Sequence, residues 1–455
     1  MEVEQHKVLT PQTLSLPALW TNFRAKIIGR EFVQHVGVLT VSNLIGAALS
    51  FAQGILVARW LGPELYGVAA LVMSYPNIVY TFFDARSTEA SVKFLSEFHA
   101  HDERERLLAI CKLGYAVDFA IALTALVAVV VSAHWAARNI ASRPETAWLI
   151  IAYTVAFIPR AMAGTSYAVL ATLSKFSLVA MVEVAAAVLR TGMVIGLVLA
   201  GWKVAGVVWG NAIGLIATGL FYGVTAALMM RRTWGASLFQ GNWKHLKGRR
   251  REILGFLAYN DLSAFLSMIP KQMDVVLLGY FRNPAEVGYY KLAKSLSSAT
   301  AYFTGPLQWV TYPQLLRLNH PEQRQILYQK VRRIVFHVGL PMGLAVLAGT
   351  VLMPFVLPFL VGDSYRPAVR ATEFLLAGSA ISIAFFWLRP LYLAQGALRA
   401  WVTMAAVAVV LSLAGFFAAI PLWGFQGLAT WLMLMNLITH GMAALYLMRR
   451  RKLAA

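Results

Sequence analysis

Apolar windows of about 18 residues or more recur from one end of the chain to the other. Each is long enough to cross a hydrocarbon core of roughly 30 Å as a helix. The runs are continuous and do not alternate, so they describe helices and not the strands of a transmembrane barrel. Composition excludes a soluble fold of this size. The 455 residues are 59% hydrophobic and 13% charged, with mean hydropathy +0.64, against about half apolar and a quarter charged in soluble domains. The reading is an all-α polytopic membrane protein of about twelve transmembrane helices. Spans are expected over 36–57, 65–83, 108–131, 147–170, 177–200, 204–229, 253–281, 288–313, 334–361, 369–394, 400–421 and 424–448.

The net charge of +20 and pI near 10.2 would suggest nucleic acid on a soluble protein. Here the basic residues follow topology. With the N-terminus inside, and with Lys112 and Arg370 near their span ends counted with the adjoining loops, the cytoplasmic segments carry 27 Lys and Arg, the opposite loops carry 7, and six lie within spans. Positive residues collect on the cytoplasmic side, so both termini are expected there, and no nucleic-acid partner is needed. Cys111 is the only cysteine, which excludes an intrachain disulfide and a cysteine-based metal site. The first apolar run begins near Val36, is too long for a signal h-region and lacks a convincing cleavage site.

Before that run, Leu16, Trp20, Phe23 and Ile27 share one helical face, with Arg24, Lys26 and Arg30 beside it. That pattern predicts an interfacial helix. Between spans six and seven, Arg231, Arg232, Lys244, Lys247, Arg249, Arg250 and Arg251 form the most basic loop, suited to anionic lipid. Trp60, Trp202, Trp209, Trp309, Trp401 and Trp423 suit interfacial belts.

The chain repeats itself. Pro63 and Gly67 recur as Pro284 and Gly288, and Gly206 recurs as Gly427, all at an offset of 221 residues. Six spans separate each pair, so the repeat is parallel, with an axis along the membrane normal. The expected organisation is a cytoplasmic or interfacial segment 1–35, a six-helix half 36–230, a basic linker 231–252, a second half 253–448 and a basic tail 449–455.

The turn Arg59-Trp60-Leu61-Gly62-Pro63-Glu64-Leu65-Tyr66-Gly67 resembles the first external loop of bacterial oligosaccharide flippases of the multidrug/oligosaccharidyl-lipid/polysaccharide superfamily. Asn283-Pro284-Ala285-Glu286-Val287-Gly288-Tyr289-Tyr290 is similar to that family's start of span eight. Gly362-Asp363-Ser364-Tyr365 with Ala368 is similar to its segment after span nine. The resemblance covers roughly 36–448 and implies two six-helix bundles around a central cavity. It implies a monomeric inner-membrane transporter, without cofactor, that moves a polyprenyl-pyrophosphate-linked glycan from inner to outer leaflet for O-antigen, capsule or exopolysaccharide assembly. Membrane lipids are implied as partners, and contact with a polysaccharide polymerase is left open. A drug or small-metabolite antiporter of the same superfamily and an integral enzyme of glycan assembly are the alternatives. The N-terminal extension departs from the family pattern.

Ionisable side chains inside a bilayer are costly and usually face a cavity or a partner. The expected cationic cavity for the pyrophosphate comprises Lys271, Lys291, Lys294, Arg190 and Arg160. Glu183, Asp274, Asp261 and Asp118 are candidates for coupling protons or for structural ion pairs, Glu183 with Arg160 or Arg190 and Lys271 with Asp274. Arg389 either lines the cavity or snorkels to the surface. Asp84, Arg86 and Glu89, at the inner end of span two, form either a gate or an interfacial charge cluster. The sequence holds no Walker loop, and His134, His337 and His440 lack metal-ligand spacing.

Overall fold

The computed structural model describes residues 30–83, 87–237, 240–249, 251–253, 255–256, 272–318 and 323–453. Among them every regular element is helical. Seven runs are long and apolar enough to cross a membrane: Gly37–Phe83, Arg104–Asn139, Pro144–Thr172, Phe176–Trp234, Gln325–Thr350, Ala368–Ala394 and Arg399–Met448. Three of them, of 47, 59 and 50 residues, are more than twice the roughly 20 residues that one crossing needs. Each breaks near its middle. The breaks fall at Gly62 (φ 72°, ψ 171°), at Gly201 and Lys203, and at Gly424 (φ 59°, ψ −145°). A positive φ cannot continue a right-handed helix, so the chain doubles back there. Residues on either side of each break consequently meet: Gly54 nears the Tyr66 hydroxyl, Gly214 packs on Arg190 and Gly415 on Trp431. The external loop of several residues expected at 58–64 therefore shrinks to a kink at Gly62. Pro63 starts the next helix there, where its missing N–H costs nothing. The end of the molecule that carries these turns is here termed the turn face, and the opposite end the basic face.

Other breaks have local causes. The Pro144–Thr172 run is pieced from Ala147–Val155, Phe157–Arg160 and Met162–Thr172 around Pro159, which lacks a backbone donor. Lys203–Trp234 ends at Gly235 in the left-handed region, whose N–H bonds the Met230 carbonyl. Pro284–Ser298 starts from Asn283, whose side chain accepts from the Glu286 N–H at 3.0 Å.

Residues 221 apart occupy equivalent places. Lys203 (φ 47°, ψ −124°) and Gly424 (φ 59°, ψ −145°) share one unusual backbone conformation. Gly210 makes room for Val194, and at the matching positions Gly415 makes room for Trp431. The glycine has changed helices, but the close approach is kept. The turns also meet each other. A methyl group at Gly67 would stand 1.8 Å from the Pro284 carbonyl oxygen, and one at Gly288 would stand 1.9 Å from that of Pro63. Each half thus rests a glycine on the other half's proline. The same reciprocity continues outward: Gly279 packs on Leu71 and the Ile140 carbonyl, while Ala58 clusters with the matching Leu292 and Val361. Tyr365, fully buried, donates to the Ala58 carbonyl at 3.2 Å and meets the Tyr289 ring edge-on at 5.9 Å. All three motifs of the family resemblance therefore converge on one seal.

On the basic face, the Trp243–Arg249 3₁₀ segment is docked on the first half. Leu246 and Ile253 are buried among Phe94, Phe98, Leu107 and Leu108. Lys112 donates to the Gly241 carbonyl at 3.2 Å. Arg249 bridges Glu97 on the Ser87–Ala100 helix to Glu252, with its Nε 2.8 Å from Glu252 Oε2. The loop expected to suit anionic lipid also uses part of its charge within the protein. The expected interfacial helix around Trp20 and Ile27 lies outside the described residues.

Three outcomes follow. Gly67→Val and Gly288→Val each place a side chain on a backbone carbonyl and should cost about 1–3 kcal/mol, read as lower melting temperatures in detergent. Because the two sites share one contact, the double variant should lose less than the sum. Lys203→Gly should instead gain about 1 kcal/mol by relieving the positive φ. The Arg249 hydrogen bond and charge hold the Glu97 carboxyl below its ordinary 4.5. A depressed folded value means that the contact stabilises at neutral pH. Its contribution is lost as pH falls below 4.5 through the lowered value. Proteolysis within 236–242 should accelerate over that window, and Glu97→Gln should remove the pH dependence.

Candidate substrate-binding site

The second half carries a charged cluster on the hairpin of Gln272–Phe281 and Pro284–Ser298. Asp274 is 2% exposed. Its Oδ2 accepts from Lys294 Nζ and from the Tyr290 hydroxyl, both at 2.5 Å, and its Oδ1 accepts from the Val275 N–H at 2.7 Å. A carboxylate buried this deeply needs a counter-charge and several donors, and the turn at Asn283 brings both beside it. Lys291 lies one turn before Lys294 on the same helix and is partly buried. It makes no hydrogen bond or ion pair among the described residues. One lysine is therefore held by an acid, and its neighbour is not. These two lysines of the expected cationic cavity are not equivalent. Lys271 and Asp261 lie outside the described residues.

The first half carries a polar cavity of about 230 Å³. Its walls include Ser42, Asn43 and Ser50 from the first run, Glu183 and Arg190 from Phe176–Leu197, and Thr218 from Lys203–Trp234. Tyr302, from the Ala301–Leu316 helix of the second half, completes it. Arg190 Nη2 donates to Ser50 Oγ at 2.5 Å, while its buried Nε has no hydrogen-bond partner among the described residues. Glu183 accepts from the Tyr222 hydroxyl at 2.7 Å. No ion pair joins Glu183 to Arg160 or Arg190 among the described residues, contrary to the pairing expected. Two helical turns separate Glu183 from Arg190, roughly 10 Å along the axis, so the cavity is acidic at one end and cationic at the other. Arg160 is partly buried within electrostatic reach of Tyr222 and Tyr153, outside the cavity wall.

Asp118, 5% exposed, accepts from the Thr165 N–H and hydroxyl at 3.2 and 2.8 Å and from the Ser87 hydroxyl. It ties together the helices Ser87–Ala100, Arg104–Asn139 and Met162–Thr172, an architectural arrangement. Glu89 sits partly buried in the first turn of Ser87–Ala100, and Asp84 and Arg86 lie outside the described residues. Arg389 is exposed. Trp60, Trp202 and Trp423 are exposed at the turn face, as a belt requires. No group of three or more metal-ligating side chains occurs among the described residues.

The family model "Polysaccharide biosynthesis protein" matches residues 32–319, well over half of the chain. The chain belongs to that family. Among curated proteins it is similar to inner membrane protein YghQ of Escherichia coli (strain K12), at 21% identity over 331 residues, covering 70% of this chain and 90% of that one. Its fold matches an inward-facing multidrug resistance MATE family transporter of the MOP superfamily, with TM-score 0.69, 14% identity and coverage of 90% and 95%. It matches the lipid II flippase MurJ in an inward closed conformation equally well, with TM-score 0.69, 12% identity and coverage of 90% and 87%. The outward-facing MATE conformation scores 0.60 at 13% identity, covering 92% and 96%. The fold is thus shared with solved membrane transporters and a flippase, and the chain is a multi-pass membrane protein of the polysaccharide biosynthesis family.

Sequence reasoning named every charged member of the two clusters but missed Tyr290, Tyr222 and the walls at Ser42, Asn43, Thr218 and Tyr302. Hydroxyls and amides are common in spans and give no signal until helices pack. Lys294→Met should leave Asp274 buried and uncompensated, a loss of about 3 kcal/mol. Adding Asp274→Asn should restore most of the melting temperature in detergent.

Proposed function

We propose that the chain is a flippase-type transporter that carries a polyprenyl-pyrophosphate-linked oligosaccharide from the inner to the outer leaflet of the cytoplasmic membrane. The observation that carries this reading is the cluster of Lys291, Lys294 and Asp274 on one hairpin within the spans. A diphosphate crossing a low-dielectric region needs fixed cations to offset the loss of hydration. Lys291 offers one directly. Lys294 offers a second by exchanging Asp274 for phosphate, and Lys271 belongs to the same proposed set by its place in the sequence. Asp274, once released, is suited to carry a coupling proton, and Glu183 is the candidate acid of the first half.

In this reading the basic face is cytoplasmic, as the asymmetry of Lys and Arg supports. The two halves move as bodies about the seal formed by Gly67, Pro284, Gly288 and Pro63. With that seal made, the described conformation is more similar to the inward-facing than to the outward-facing relative, which supports an inward state. The substrate loads from the inner leaflet and leaves when the seal parts.

The test is deletion of the gene with leaflet-specific labelling of lipid-linked glycan, followed by complementation. Wild type should restore outer-leaflet glycan. Lys291→Ala, which leaves the Lys294–Asp274 pair intact, should reduce transport by about tenfold at normal protein level, the scale of one lost charge-assisted hydrogen bond, while Arg389→Ala should complement fully. Normal surface glycan in the deletion strain, with altered drug tolerance, would instead make the chain a drug antiporter.

A further inference from the structure

We infer that the cavity in the first half is a subsite for a single sugar ring, the one attached directly to the pyrophosphate. The inference rests on the flippase reading and adds to it a division of labour: phosphate on the second half, first sugar on the first.

Size is the first argument. At about 230 Å³ the cavity falls below the roughly 300–1,000 Å³ of pockets for drug-sized ligands. It has room for one hydroxylated ring, not for an oligosaccharide. Chemistry is the second. Ser42, Asn43, Ser50 and Thr218 supply neutral donors and acceptors from two helices, the mixed set that a ring of hydroxyls requires. Glu183 accepts and Arg190 donates at opposite ends, and neither is neutralised by the other. The buried Arg190 Nε, without a hydrogen-bond partner among the described residues, is a donor still owed an acceptor. Tyr302 contributes an aromatic ring, 48% exposed, able to cover the C–H face of a sugar.

Position is the third argument. Gly54 and Ser295 approach each other across the two halves, so the Pro284–Ser298 helix runs beside the first run. Lys294 lies one residue before Ser295, and Tyr302 stands in the first turn of the next helix, Ala301–Leu316, eight residues after Lys294. A diphosphate held at Lys291 and Lys294 therefore brings its first sugar to the cavity and leaves the distal ones outside. Because Tyr302 comes from the second half and the remaining wall from the first, a seated sugar touches both moving parts. Its release accompanies their separation.

The experiment measures binding of polyprenyl pyrophosphate, bare or carrying one glucose, galactose, N-acetylglucosamine or glucuronic acid residue, to the purified full-length protein in lipid nanodiscs. At least one sugar-bearing lipid should bind about tenfold more tightly than the bare lipid, the equivalent of one or two net hydrogen bonds. Asn43→Ala/Thr218→Ala should reduce that ratio to near one. Wild type alone decides the matter if the variant fails to fold: equal affinity for the bare lipid and all four sugar-bearing lipids overturns the subsite. A ratio unchanged in a folded variant overturns it too. Failure of the bare lipid to bind at all overturns the flippase reading itself. A melting shift produced by sodium alone and abolished by Glu183→Gln, without any sugar gain, would overturn the subsite and give the cavity to a cation.

Discussion

The contact on which the molecule depends is backbone against backbone. Gly67 lies on the carbonyl of Pro284, and Gly288 lies on the carbonyl of Pro63. Between helices in lipid there is little hydrophobic force to recruit, and close packing of small residues takes its place. Side chains at either glycine would hold the two halves apart at the turn face. The aromatic groups around the crossing, Tyr365 and Tyr289 foremost, then fill the space that the glycines leave. The rest of the architecture hangs from this crossing, including the approach of the Pro284–Ser298 helix to the first run and hence the placement of Tyr302 over a cavity of the other half.

The two halves share a frame but not a chemistry. Their turns, tight crossings and unusual backbone angles correspond at a constant offset, whereas the ionisable residues deep in their spans do not. Position 274 is aspartate where its counterpart 53 is glutamine, and Arg190 corresponds to Leu411. A symmetrical seal needs matched geometry, because each half is the other's partner. The matched residues lie at the turn face and the unmatched ones deeper in the spans.

Much of this was legible in the sequence. Glycine and proline act through the backbone of their own position, so Pro63, Gly67, Gly206 and their repeats could be recognised without knowing what they touch. Charges in apolar runs were equally visible, since lipid tolerates few of them. Their partners were not. Glu183, a candidate for a coupling proton or an ion pair with an arginine, bonds Tyr222, while Asp118, a candidate of the same kind, holds three helices together through Ser87 and Thr165.

Apolar run length and the positions of glycine and proline determined that this chain is a helical membrane protein with a repeated plan, because the bilayer sets helix length and backbone sterics set the turns. Only the tertiary structure decided which charges are paired, which face a cavity, and which residues of one half complete a site in the other. Those outcomes depend on the rotation of each helix about its axis, and that rotation is fixed by neighbours that lie far away in sequence.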